Sequence, residues 1–174
     1  QAKIDSLIGI KSKLIESLSE EFENTKLKII VDKLTGAITF DSNVLFGFNE
    51  TVLKSEAKEF LNEFLPVYFS VLMQPEFAPY VSEIIIEGHT DKVGPYIRNL
   101  DLSQKRALSI INYCLSEETS ILSKEEIENL RGMLTANGRS WSNPIYNTDG
   151  TINDNQSRRV EFKFRLKDDE MIEE

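Results

Sequence analysis

The sequence predicts an α+β fold: a small mixed β-sheet with helices on one face, preceded by an N-terminal helix. Three observations carry that expectation. Residues 83–87 form a short β-branched run ended by Gly88, the pattern of a buried strand. Residues 103–115 place Ala107, Leu108, Ile111, Cys114 and Leu115 at helical spacing. Residues 158–166 alternate Val160, Phe162, Phe164 and Leu166 against charged residues, as a strand with one wet face does.

Taken in order, residues 4–22 carry a helical stripe of Ile4, Leu7, Ile8, Leu14, Ile15, Leu18 and Phe22, interrupted by Lys11. Two readings stand: a helix packed on its own domain, or a linking helix able to pair with a second copy. Residues 26–32 and 37–40, parted by Gly36, predict a hairpin at the sheet edge. Thr51 is placed to cap a helix over 54–73, and Pro66 inside it predicts a kink or two abutting helices. Ser123 and Glu126 have capping-box spacing, so a short helix is expected over 123–130. A strand is expected over 132–138, then a long polar loop over 139–156 that contains Trp141. This divides the chain into a linker or stalk helix (1–25), a folded domain (26–167) and an acidic tail (168–174).

Composition narrows the function. The 174 residues suit one domain with an appendage, and 40% apolar residues suffice for a packed core. A net charge of −9 with no basic run argues against nucleic acid, because phosphate neutralisation needs clustered cations. No run approaches the roughly 20 apolar residues of a membrane span. The chain opens on Gln1 without a Met, so an excised soluble fragment is expected. The lone Cys114 lies on an apolar helix face, which predicts a buried, inert thiol. His89 is the only histidine, so a hydrogen-bonded role is expected for it and no metal or other cofactor. Enzyme readings are poorly supported: no triad spacing, sugar-cleaving carboxylate pair with aromatic partners, or phosphate loop stands out.

The chemistry concentrates between the central strand and the following helix. Asp91 leaves the strand end, Gly94-Pro95 turns the chain, and Arg106 projects from the helix with Leu102 four residues before it. A carboxylate, a guanidinium and an apolar wall suit one small zwitterion. Read by themselves, Asp91 and Arg106 are more readily a structural ion pair that steadies the loop than a ligand site.

HTDKVG at 89–94 followed by N-x-x-LSQKRA at 99–107, FDSNVLFGFNETVLKSEAKEFL at 40–61 and SRRVEFKF at 157–164 together resemble the OmpA/MotB-like peptidoglycan-binding family. The resemblance spans roughly 40–166. It implies an OmpA-C-like two-layer sandwich and non-catalytic binding of a peptidoglycan stem peptide of the diaminopimelate type. Carried over residue by residue, it assigns Asp91 to the ligand amine and Arg106 to the carboxylate, with Thr90, Asn99 and Leu102 lining the pocket. Phe48 and Asn49 match a position where Phe-Asp is common, so one charge is missing here. Arg158 is placed near the pocket. Ser157 stands where the family usually has Asn, whose bonds Ser157 or Asn155 would remake. Val93 replaces a small hydroxyl residue and is expected to contribute its backbone. The resemblance further implies a periplasmic domain of an inner-membrane-anchored protein, a MotA-like partner reached through a preceding segment, a homodimer, and no nucleic acid. The segment before HTD and the LSQKRA wording are most similar to the MotB-like stator subunits of the Zorya anti-phage defence system. An outer-membrane or lipoprotein tether and a cell-wall hydrolase accessory or enzyme are the alternatives. Under this resemblance Arg106→Ala is expected to abolish wall binding without moving the melting transition.

Overall fold

The computed structural model describes residues 2–167. Helix α1 (Ala2–Glu23) is followed by strand β1 (Ile38–Asp41), a one-turn helix α2 (Ser42–Leu45) and helix α3 (Ser55–Leu72). Strand β2 (Val81–His89), helix α4 (Tyr96–Leu115), helix α5 (Lys124–Arg131), strand β3 (Leu134–Gly138), a short helix α6 (Asp154–Ser157) and strand β4 (Arg159–Leu166) complete the order. The sheet runs β1-β4-β2-β3, with β4 antiparallel to both its neighbours and β2 parallel to β3. This is the mixed sheet that the sequence predicts.

Helices α3 and α4 cover one face of that sheet. Phe64 and Tyr68 of α3 meet Phe162 edge-on, with ring centroids 5.1 and 5.5 Å away. Phe162 lies opposite Ile86, and Val160 opposite Gly88, so these residues share a face. Helix α4 packs there too. A Cβ on Gly88 would stand 2.4 Å from the Ser103 carbonyl oxygen, and one on Gly138 would stand 2.6 Å from the Gln104 amide nitrogen. Gly88 therefore lies inside β2, not at its end, and its missing side chain sets how closely α4 approaches. Helix α1 closes the outside of this layer. Its Leu14, Leu18 and Phe22 are buried, and Phe22 stacks on Phe64 at 5.1 Å.

Several boundaries differ from expectation. The edge hairpin reduces to a single bridge, Val31 to Ile38, beside β1. The alternation itself is realised, with Leu27, Ile29 and Val31 turned to the core and Ile30 to solvent, but Asp32 closes a turn by accepting from the Leu34 and Thr35 amides, and the pairing goes no further than Val31. Thr51 does not cap α3. Leu53 is held in a bridge to Phe46, and the helix starts after Lys54 without a side-chain cap bond. Pro66 causes no break, because Leu61, Phe64 and Leu65 before it and Tyr68, Phe69 and Leu72 after it bury in one continuous core. That burial outweighs the ~3 kcal/mol typical of an interior proline. The Ser123/Glu126 capping box is present at the start of α5. Cys114 is buried, which pushes its thiol pKa up and suppresses the reactive thiolate. The acidic tail 168–174 lies outside the described residues.

The other face of the sheet carries an ion network. His89 Nε2 lies 2.9 Å from Glu87 Oε1 and 3.6 Å from Glu161 Oε2. Arg159 Nε donates to Glu161 Oε1 at 2.9 Å, and Lys163 Nζ stands 3.5 Å from Glu87 Oε1. Asn137 Nδ2 also donates to Glu87 Oε2 at 3.0 Å. Burial pushes Glu87 up, but His89, Lys163 and Asn137 outweigh it and hold the carboxyl at about 2. Burial likewise opposes His89 and Arg159 at Glu161, which is also held at about 2. Folded values below the ordinary 4.5 mean that the unfolded chain binds protons more readily. Their contribution to stability is present above that value and is lost as pH falls from 4.5 towards 2.

Two outcomes follow for stability. Urea midpoints measured from pH 5 downwards should fall most steeply between the unfolded and folded carboxyl values, and Glu161→Gln should flatten that segment; an unchanged profile in the variant would contradict the network. Gly88→Ala should destabilise by about 1–3 kcal/mol, the usual cost of overpacking, with an unchanged urea m-value. A neutral result would show that α4 can retreat from the sheet.

Candidate functional site

The C-terminal end of β2 meets the start of α4 through residues 90–95. Asp91 turns this loop, its Oδ1 accepting from the Val93 amide at 3.0 Å. Asn99 ties the same loop to α4 by donating to the Val93 carbonyl at 2.9 Å and the Pro95 carbonyl at 3.2 Å. Helix α4 begins at Tyr96, earlier than the apolar pattern alone suggests, so Leu102 and Arg106 do lie on one helix. Thr90 is buried, and its hydroxyl donates to the Asp91 carbonyl. Thr90 and Asn99 thus brace the loop, which is a duty that motif reasoning did not assign them.

Arg106 is only 7% exposed. Its Nε donates to the Glu50 carbonyl at 2.9 Å and its Nη2 to the Gly47 carbonyl at 3.2 Å. The guanidinium also lies 5.2 Å from the centroid of the Phe46 ring. Burial pushes its pKa down, though a guanidinium remains charged in the working range. Arg106 therefore holds the 47–50 turn in place while staying a cation. No described residue pairs with its Nη1. Because the side chain knits a turn, Arg106→Ala should lower the melting temperature, where the sequence led to the expectation of an unmoved transition.

The 47–50 turn explains its own sequence. Asn49 has φ +56, the left-handed region that Asn and Asp tolerate better than most residues. Phe48 beside it is 89% exposed. A large apolar side chain held in solvent next to a buried arginine fits a contact surface better than a core role.

Asp91 and Arg106 do not pair with each other. The carboxylate is taken by Arg158, whose Nη1 donates to Asp91 Oδ2 at 2.5 Å. Arg158 also donates from Nη2 to Asn155 Oδ1. The placement of Arg158 near Asp91 agrees with the sequence alternation, and Arg159 points to the opposite sheet face as that alternation requires. Asn155 positions Arg158, while Ser157 Oγ accepts from the Ile145 amide and donates to the Asn153 carbonyl. The Arg158 carbonyl accepts from the Ser42 amide at 3.1 Å, at the start of α2, whose other end leads into the turn that Arg106 holds. Asp91, Arg158, α2, the 47–50 turn and Arg106 thus form a connected rim at one end of the sheet. The expectation of a hollow shared by Asp91 and Arg106 is not met by the cavities of about 360, 560 and 190 Å³, which neither residue lines.

Sequence reasoning missed two features. One is the Glu87–His89–Glu161 group, whose ligand-type atoms lie within 4.8 Å of one another. The E-x-H spacing was visible, but Glu161 joins only through the β2–β4 register. Lys163 and Arg159 already neutralise its two carboxylates, which favours a structural network over a cation site. The other is Trp141, whose ring meets Tyr96 edge-on at 5.0 Å and sits 5.5 Å from the Lys92 ammonium.

Comparison with known proteins accords with this geometry. Residues 45–159 match the OmpA family. The Zorya protein ZorB of Escherichia coli is 29% identical over 90% of this chain and 75% of its own length. Outer membrane protein A of Shimwellia blattae is 30% identical over 80% of this chain but only 50% of its own length. Among solved structures, a MotB-like protein from Desulfovibrio vulgaris superposes with a TM-score of 0.57 at 19% identity, covering 94% of this chain and 93% of that one. The cell wall anchor of the Pseudomonas aeruginosa T6SS superposes with a TM-score of 0.53 at 17% identity, covering 90% and 99%. With a family match over most of its length and the same sheet-and-helix arrangement, this chain belongs to the OmpA family.

Proposed function

We propose that this chain is a non-catalytic wall anchor that binds peptidoglycan through the Asp91–Arg106 end of its sheet. The observation that carries the reading is the state of Arg106. Two backbone carbonyls and an aromatic face hold its guanidinium in one orientation, and Nη1 is left for a ligand. A guanidinium fixed before binding suits a carboxylate, because little side-chain freedom is lost on association. Asp91 supplies acceptor oxygens for an amine, and Arg158 beside it offers a second cation for a carboxylate. A diaminopimelate-type stem residue carries those groups close together. Phe48 and Leu102 would contact its aliphatic part, while Thr90, Asn99 and Asn49 would act through the loops they shape.

We further infer a role as the periplasmic domain of a MotB-like stator subunit in anti-phage defence, working beside a MotA-like subunit and a second copy of itself. The ZorB relatives support this, as does the burial of the second half of α1 in the core, which would couple a preceding membrane segment rigidly to the wall-binding end. No described helix is long and apolar enough to cross a membrane. The outer-membrane protein A relatives keep an outer-membrane tether as the second reading.

Pull-down on purified sacculi tests the site. Asp91→Asn and Arg106→Lys should each reduce retention at least tenfold, in line with the ~2–5 kcal/mol typical of breaking a desolvated charge contact. Arg106→Lys keeps the charge but loses the planar fork, and thermal melts of both variants should verify the fold. Full retention by folded variants would reject the assigned residues.

A further inference from the structure

We propose that Trp141, Tyr96 and Lys92 form a second contact, for the amino sugar that carries the stem peptide; this rests on the stem-peptide reading of the Asp91–Arg106 end. Trp141 follows β3 in a loop that is locked against the β2–α4 connection. Its preceding residue, Ser140, is fully buried with φ +54, a conformation that a non-glycine residue adopts at a cost of about 1–3 kcal/mol. Three hydrogen bonds hold it. The Ser140 amide donates to Ser103 Oγ at 3.0 Å, its hydroxyl donates to the Tyr96 carbonyl at 2.7 Å, and its carbonyl accepts from the Thr90 amide at 2.9 Å. Strain maintained by so many bonds fixes where the next side chain goes. That side chain is an indole, set against Tyr96 and Lys92, and Lys92 is the residue after Asp91.

The surface here has the character of a sugar platform. Tyr96 is partly exposed, and Val93 and Ile97 are 73% and 70% exposed, so an apolar strip runs beside the zwitterion site. The Trp141 Nε1 donor is buried, so the partly exposed indole would meet a ligand with its ring and not with its N–H. A pyranose ring presents apolar C–H faces with a polar rim, and an acetamido carbonyl is an acceptor for the exposed Lys92 ammonium. Two extended peptide residues reach only about 7 Å, so a sugar joined to a docked stem stays close to this strip. The covalent tether raises its effective concentration there.

Calorimetric titration with two probes tests the assignment: a disaccharide-tripeptide muropeptide and the same tripeptide without sugar. The wild-type protein should bind the muropeptide about tenfold more tightly, a difference of 1.4 kcal/mol. Trp141 is the only tryptophan, so its emission should shift with the sugar-bearing probe and little with the bare peptide. Trp141→Ala should remove the sugar advantage and leave bare-peptide affinity unchanged. Lys92→Ala, at an exposed position, should reduce the advantage while keeping the fold intact, and it decides the matter if Trp141→Ala does not fold. Equal affinity for the two probes, or loss on both alike in Trp141→Ala, overturns the inference. Bare peptide bound without any sugar advantage sinks this contact alone; binding of neither probe sinks it together with the stem-peptide reading.

Discussion

The closeness of α4 to the sheet is the constraint on which the rest depends. At Gly88 and Gly138 the helix backbone comes so near that a single added carbon would collide with Ser103 or Gln104. With the helix seated this low, Asn99 can tie down the 90–95 loop, Ser103 can bond the Ser140 amide, and Arg106 can reach the 47–50 turn. Three loops from distant parts of the chain are thereby gathered at one end of β2. A helix held farther out would still bury a core, but it would not build that rim.

Charge is sorted by the same geometry. Across β2 and β4 the open face collects Glu87, Glu161, His89, Arg159 and Lys163 in a network whose charges balance when the imidazole is neutral. At the sheet end, Asp91 and Arg158 balance one another, whereas Arg106 is held by carbonyl dipoles with no carboxylate partner among the described residues. A buried guanidinium without a counter-ion is costly to maintain. The protein keeps one here by fixing it with backbone oxygens and an aromatic face, an arrangement suited to an incoming carboxylate. The anchor reading follows from that asymmetry more than from the Asp91–Arg106 separation.

Much of this was legible in the residues, and the exceptions have physical causes. Period-two alternation located β4 and assigned Arg158 and Arg159 to opposite faces; helical periodicity located α4 and its buried Cys114. The capping box marked the start of α5 because its bonds are local. The edge hairpin shrank to one bridge although Leu27, Ile29 and Val31 face the core, because alternation records which face is buried and not whether backbone ladder bonds form. Pro66 misled because a local hydrogen-bond penalty was weighed without the core on both sides of it. The Asp91–Arg158 and His89–Glu161 contacts require the strand register, which no local pattern carries. Motif matching named residues that lie at this rim, and it carried no sign that the polar groups of Thr90 and Asn99 are spent on the loop itself.

The account centres on the rim from Asp91 to Arg106 as the place where a stem-peptide zwitterion binds. Amide chemical-shift mapping of the ¹⁵N-labelled chain during titration with meso-diaminopimelate tests this most directly. The account predicts saturable shifts in the backbone of residues 47–50 and 90–99, with the amides of β3 and of the outer strand β1 unmoved. Saturable shifts confined to the open sheet face around Glu87 and Lys163, or no saturable shifts at all, would contradict it.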